Sequence, residues 1–212
     1  LLIKFVLVLV TSNLIASEYH RAMVNPEPSE IPSRIALNWS DDPTTSISVT
    51  WRTSTNIENA YAEIAIADDS ANFITWRTQV IAKTEKWNQG KYSAHFHSVT
   101  FSKLKPETLY AYRVGSEKVW SGWYQYRTAS KNSGSFSFIY FGDAQNNLLS
   151  LWSRVIRGSI LDAPQSAFLL HAGDLVNNAN NDSEWEEWFQ AGSWIHAQVP
   201  IIATPGNHEY AT

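Results

Sequence analysis

A two-sheet β-sandwich followed by the first half of an α/β domain is the fold class this sequence predicts, on three observations. Between Arg34 and Thr128, apolar and polar positions alternate in short runs rich in β-branched and aromatic residues, which is the period of half-buried strands. A polar stretch, ASKNSGS at 129–135, then interrupts the pattern. Beyond it, continuous apolar runs alternate with segments of helical spacing, the arrangement of parallel strands joined by helices.

The chain opens with LLIKFVLVLVTSNLIASEYH, in which Lys4 precedes an apolar run from Phe5 to Val10 and Ala16 and Ser17 offer small residues for cleavage. Residues 1–17 therefore read as a signal peptide, and the protein as secreted or periplasmic. Thr11, Ser12 and Asn13 interrupt the run too early for a stable membrane span. The first residue is Leu and the pattern stops at Thr212, so the chain reads as an N-terminal fragment. NPEPSEIP at 25–32 suits an extended lead-in.

The sandwich domain is expected over 30–129, with RIALNW, SISVTWRT, YAEIAIA, HFHSVTF, LYAYRVG and WYQYRT as its strands. Asp42-Pro43, Asn88-Gln89-Gly90 and Lys105-Pro106-Glu107 mark turns between them. Trp39, Trp51, Phe101 and Tyr110 are expected in its core, and His95 and His97 at its surface or at a domain interface. Trp120 and Trp123 fit sandwich packing or the interdomain contact better than a carbohydrate platform.

The second domain is expected over 136–212. FSFIYF at 136–141 suits a strand buried on both faces, and LLSLWSRVIRGSI after it has helical spacing. AFLLHA at 167–172 is the next strand. A helix then opens at Ser183, where Glu186 three residues on gives a capping-box pattern and Trp185, Trp188 and Phe189 recur at helical spacing. VPIIAT at 199–204 closes a β-α-β-α-β unit with parallel strands and right-handed crossovers.

Composition limits the chemistry. The 212 residues are 44% hydrophobic, which is enough for a packed core, and the net charge of -4 offers no long-range attraction for nucleic acid. Cysteine is absent, which excludes disulfides, zinc-thiolate sites and a thiol nucleophile. Any metal must sit on oxygen and nitrogen.

Each of the three parallel strands ends in a loop that begins with glycine: Gly142-Asp143-Ala144-Gln145, Gly173-Asp174-Leu175-Val176-Asn177 and Gly206-Asn207-His208-Glu209. Ligands of open α/β sheets bind at the carboxyl ends of the strands, so Asp143, Asp174, Asn207 and His208 can converge. Two carboxylates, an amide oxygen and an imidazole suit hard or borderline ions such as Fe, Mn, Zn or Mg. Plainer roles exist for each residue. Asp143 and Asp174 can cap the following helices, Asn207 can be a turn residue, His171 is read as a buried histidine or one that orients Asp174 rather than as a ligand, and Glu209 either holds a ligand residue through a hydrogen bond or is an exposed turn carboxylate.

GDAQ, GDLVN and GNHE, in this order after paired strands, resemble the first three of five metal-binding blocks of the calcineurin-like metallophosphoesterases, specifically the purple acid phosphatases. Upstream, PSRIALNWSDDPTTSISVTWRT, LKPETLYAYRVGS and WSGWYQYRT resemble the fibronectin-type-III-like, immunoglobulin-fold N-terminal domain of that family. The resemblance implies a site of two divalent or trivalent ions (Fe, Zn, Mn or Mg), with Asp143 on the first metal, Asp174 bridging both and Asn207 on the second. It implies hydrolysis of a small phosphate ester by metal-bound hydroxide, with His208 facing the substrate. A nearby imidazole can donate a proton to the leaving alkoxide or hydrogen-bond a phosphate oxygen, with His208 the candidate for that role, and homodimer contacts through the sandwich rest on fold-level analogy. Asn177 stands where the family has its metal-binding tyrosine, and Gln145 where it has Gly or, more widely, a histidine ligand. The resemblance also places further histidine blocks beyond Thr212, so this chain alone is expected to be incomplete and inactive. A non-catalytic binding module with a degenerate phosphatase domain is the alternative, resting on Gln145 and Asn177.

Overall fold

The computed structural model describes residues 24–88, 91–132 and 134–210; the signal-peptide reading at 1–17 lies outside them. The sandwich is built from β1 (Ser33–Asn38), β2 (Ile47–Thr53), β3 (Tyr61–Ile66), β4 (Thr78–Ile81), β5 (Lys83–Trp87), β6 (Ala94–Phe101), β7 (Leu109–Gly115) and β8 (Tyr124–Arg127). One sheet has the order β1-β2-β6-β5 and the other β4-β3-β7-β8, with every pairing antiparallel. That order is an immunoglobulin-type sandwich with an added edge strand on the second sheet.

β4 and β5 carry no sequence-level strand signal. Their residues, TQVI and KTEKW, are almost wholly exposed, because an edge strand with a wet outer face needs no apolar alternation. The sandwich core interleaves Leu37, Ile47, Val49, Trp51 and Phe101 with Ala62, Tyr110, Tyr112 and Val114. Trp39 packs only partly against it.

One expectation about these side chains changes. His97 is fully buried and not at the surface. Its Nε2 lies 2.7 Å from Thr53 Oγ1 and its Nδ1 2.9 Å from Thr84 Oγ1, so strand hydroxyls satisfy the ring within the sheet. Trp120 and Trp123 pack on the sandwich outside its core, over the Arg113 guanidinium of β7 at 4.4 and 4.8 Å. Arg113 in turn holds the buried Glu63 carboxylate.

In the second domain, β9 (Ile139–Phe141), β10 (Leu169–His171) and β11 (Ile201–Ala203) form a parallel sheet of order β11-β10-β9. A π-helical turn at Leu148–Trp152 runs into α1 (Ser153–Asp162), and α2 (Asp182–His196) follows β10. The helices cover one face, packing Trp152, Ile156, Trp188 and Ile195 on Phe141, Leu169 and Ile201. On the other face Tyr140 and Ile202, both exposed, flank Leu170 in register. The 136–141 run was expected to be buried on both sides; one side is open among the described residues.

Helix α2 starts two residues earlier than the capping-box reading places it. Asn181 is the N-cap, its side chain accepting from the Ser183 amide, and Glu184 is the acidic residue three positions on. Glu186 instead crosses to the sandwich. It takes Arg34 Nε at 2.9 Å and Arg52 Nη2 at 2.8 Å, while Asp182 takes the same two guanidinium groups at 2.8 and 3.3 Å. Arg34 reaches α2 from a bulge in β1, where its φ is 53°. The Tyr112 hydroxyl donates to the Ala197 carbonyl, and Trp39 meets Phe168 edge-on at 5.2 Å. The two domains therefore share a continuous polar and aromatic contact. No helix among the described residues is long and apolar enough to cross a membrane.

Candidate active site

Parallel pairing brings the ends of β9, β10 and β11 to one edge, and hydrogen bonds stitch the loops that follow them. The Gln145 amide donates to the Asp174 carbonyl at 3.1 Å, joining the first loop to the second. The His208 amide donates to Asp174 Oδ1 at 3.1 Å, joining the second to the third. Asp143 and Asp174 both have a φ of 51°, a left-handed conformation that carries strain for a residue other than glycine. The approach is close enough to require glycine. A Cβ on Gly206 would sit 2.3 Å from Asp174 Oδ1, and one on Gly173 would sit 2.6 Å from the Gly206 nitrogen.

Glu209 holds this corner together. Its Oε2 accepts from the amides of Asp174 at 2.8 Å and Gly206 at 2.7 Å, and its Oε1 from Leu175 at 2.8 Å and Val176 at 3.2 Å. Of the two sequence readings for this residue, the hydrogen-bonding one describes it. Successive backbone N–H groups make an anion-binding concavity, and here a carboxylate of the chain itself fills it.

His208 is fixed through its ring. Nδ1 lies 2.7 Å from the Asn177 carbonyl oxygen, which can only accept, so Nδ1 carries the proton. Nε2 has no hydrogen-bond partner among the described residues. Asn177 thus contributes its main chain; its own amide and that of Asn178 donate to Glu184 Oε2, each at 2.8 Å.

The oxygen donors fit part of a metal centre. The side chains of Asp143 and Asn207 make no hydrogen bond among the described residues, and Gln145 Oε1 is buried without a partner. Such unpaired oxygen atoms suit a hard cation. Among the described residues no group of three or more His, Cys, Asp or Glu side chains could hold a metal ion.

His171 lies in a different environment. It is fully buried, packed on Phe141, Trp152, Trp188 and His196, and neither ring nitrogen has a partner. It makes no hydrogen bond to Asp174, so it is a packing residue of the α2–β10 interface. Burial pushes its pKa down to about 4. Burial, helped by His171 nearby, pushes that of His196 down to about 3. Sequence reasoning missed Glu184. The Asn181-x-x-Glu184 spacing was the available signal, but the adjacent Ser183/Glu186 pair has the same form.

The family model for the purple acid phosphatase N-terminal domain matches residues 32–128, and that for the calcineurin-like phosphoesterases matches residues 136–212. Acid phosphatase type 7 of Mus musculus is 28% identical over 191 residues, covering 86% of this chain and 41% of that protein. The Homo sapiens counterpart is 27% identical over 189 residues, with the same shares of 86% and 41%. The chain therefore spans about 41% of the length of these relatives. Among solved structures, purple acid phosphatase PPD1 from yellow lupin (Lupinus luteus) seeds superposes with a TM-score of 0.71 at 20% identity, over 85% of this chain and 36% of that one. PhoD superposes with a TM-score of 0.57 at 14% identity, over 87% of this chain and 40% of that one. Both show likeness of fold.

Proposed function

We propose, for a chain that belongs to the purple acid phosphatase family of calcineurin-like phosphoesterases, that the whole protein hydrolyses small phosphate esters at a centre of two metal ions. The observation that supports this best is the union of three strand-end loops around Asp174, which leaves oxygen donors unpaired beside a histidine whose ring is already oriented.

Asp143, Asp174 and Asn207 would hold the ions, with Gln145 Oε1 beside them and the remaining ligands supplied by the rest of the protein. Bound there, the ions would supply an activated water and neutralise phosphate charge. The chain's own residues do the rest. Glu209 keeps the Asp174 and Gly206 loops at their separation, so the donors need little reorganisation when the site fills. To act as the acid, His208 would keep Nδ1–H on the Asn177 carbonyl and present Nε2–H. Water oxygen bonds to phosphorus as the ester P–O bond breaks, and the electron pair of that bond stays on the leaving oxygen. That oxygen takes the Nε2 proton, while the water's proton passes to solvent. His208 ends neutral with its Nδ1–H bond unchanged. The leader-like sequence at 1–17 supports a secreted or periplasmic setting for this chemistry.

The test is hydrolysis of p-nitrophenyl phosphate by the full-length protein before and after chelation. Activity lost on chelation and restored by Mn, Zn or Fe supports the proposal. Turnover indifferent to chelation contradicts a metal-dependent site, and no turnover under any metal favours a binding module.

A further inference from the structure

The peptide group between Asn177 and Asn178 has both of its ends engaged. Its carbonyl accepts from His208 Nδ1 at 2.7 Å, and its N–H donates to Glu184 Oε2 at 2.8 Å. The same carboxylate oxygen accepts from the Asn177 amide at 2.8 Å, and Glu184 Oε1 accepts from Asn181 Nδ2 at 3.0 Å. Asn181 is itself the N-cap of α2 through the Ser183 amide. A rigid line therefore runs from the first turn of α2, through a carboxylate and one peptide plane, to the imidazole. With the Glu209 bonds, every backbone amide from Asp174 to Asn178 ends on a carboxylate.

From this arrangement we infer that Glu184 is a positioning residue for His208, acting through the Asn177–Asn178 peptide; the inference rests on the reading of His208 as proton donor. Hydrogen bonds in series polarise one another. A carboxylate on the N–H side draws the peptide dipole so that the carbonyl becomes a stronger acceptor for Nδ1–H. Two consequences follow. The ring is held in the tautomer and orientation that leave Nε2 toward substrate, and the carbonyl is held where it stays bonded to the ring as the Nε2 proton leaves. A carboxylate bonded directly to imidazole is a familiar way to orient a catalytic histidine. Here a peptide plane is interposed, and Asn177 needs no functional side chain to serve in it.

The inference distinguishes orientation of the acid from general support of the loop, because only esters with poor leaving groups depend on a proton donor. Full-length wild type, Glu184→Gln and Glu184→Ala are compared on p-nitrophenyl phosphate and on glycerol 2-phosphate. Glu184→Gln keeps an acceptor oxygen and the side-chain shape but loses the charge. On glycerol 2-phosphate, kcat should fall about tenfold in Glu184→Gln and further in Glu184→Ala, a share of the 10²–10⁴-fold that a general acid contributes. On p-nitrophenyl phosphate kcat should stay within about twofold in Glu184→Gln, with KM unchanged for both esters. Equal losses on both esters, or none on either, overturn the inference. A second readout needs no metal and no turnover. In the metal-free protein labelled with ¹⁵N-histidine, NMR should show His208 protonated at Nδ1 in the wild type. In Glu184→Gln, that Nδ1 proton should exchange faster or move in part to Nε2. If wild type hydrolyses neither ester, the phosphatase reading fails and the NMR result alone decides: an Nδ1 signature unchanged in the variant refutes the positioning role.

Discussion

Glu209→Ala is the sharpest perturbation of the proposed centre, because it removes one side chain and strands four backbone donors. In the native fold the carboxylate accepts from Asp174, Leu175, Val176 and Gly206 at 2.7–3.2 Å. A hydrogen bond to a charged group contributes about 1.5–3 kcal/mol net, so four give about 6–12 kcal/mol before water replaces any of them. Glu209 is half-buried, so water can replace part of what is lost, and about 3 kcal/mol is the expected net cost. That loss is local. The parallel sheet and helix contacts beneath it remain, whereas the 173–176 and 205–208 loops open relative to each other. Hydrogen–deuterium exchange followed by mass spectrometry should report amides 174–176 exchanging about 100-fold faster, the fold-change equivalent of that energy. Peptides of β10 and α2 should keep their wild-type protection. Outer-shell changes of this kind typically weaken metal binding 10–100-fold, and titration of Mn into the apo full-length protein should show a loss in that range. Unchanged exchange at 174–176 with unchanged Mn affinity would refute the claim that the carboxylate sets the loops.

Two further outcomes follow from the same contacts. His171 and His196 are buried neutral, with pKa values pushed down to about 4 and about 3 from an ordinary 6.5. The unfolded chain therefore binds more protons as pH falls below about 6.5, and stability is lost from there down through the folded values. At pH 5 each ring costs about 2 kcal/mol and the pair about 4. Urea unfolding at pH 7 and pH 5 should show that fall, with His196→Phe removing roughly half of it; a pH-independent midpoint would contradict the burial of neutral rings. Glu186→Ala leaves Arg34 and Arg52, with side chains only 5% and 3% exposed, with Asp182 as their ion-pair partner among the described residues, beside the Ser33 hydroxyl that Arg52 Nε also reaches. Breaking a buried pair costs 3–5 kcal/mol, and the remaining Asp182 bonds put the expectation near 3 kcal/mol in urea unfolding. A shift below about 1 kcal/mol would show that the interdomain clamp is dispensable.

Six of the eight sandwich strands were legible because each alternates apolar and polar residues, and the three parallel strands because each is a short apolar run, although Tyr140 and Ile202 on their open face are exposed. β4 and β5 were not, since Thr78–Ile81 and Lys83–Trp87 pair at sheet edges with little apolar burial. The three loops were legible through their glycines; the close approach of the second and third loops explains Gly173 and Gly206, whereas a Cβ at Gly142 would meet nothing within 4 Å. The parts that act through the main chain were not. Nothing in the residue types says that Glu209 collects four amides, or that Asn177 serves through its carbonyl, because those partners are fixed by how separate loops meet. Ser183-x-x-Glu186 and Asn181-x-x-Glu184 compete as caps by sequence alone. The ion pairs from Glu186 to Arg34 and Arg52 settle the choice in space by drawing Glu186 into the domain interface.

The most direct test of the central claim is metal content, by elemental analysis, together with p-nitrophenyl phosphate hydrolysis for the full-length protein and its Asp174→Asn variant. The account predicts about two ions per wild-type chain, with loss of bound metal and of turnover in the variant. A wild type that turns over with no bound metal, or an Asp174→Asn variant that keeps both metal and activity, would contradict it.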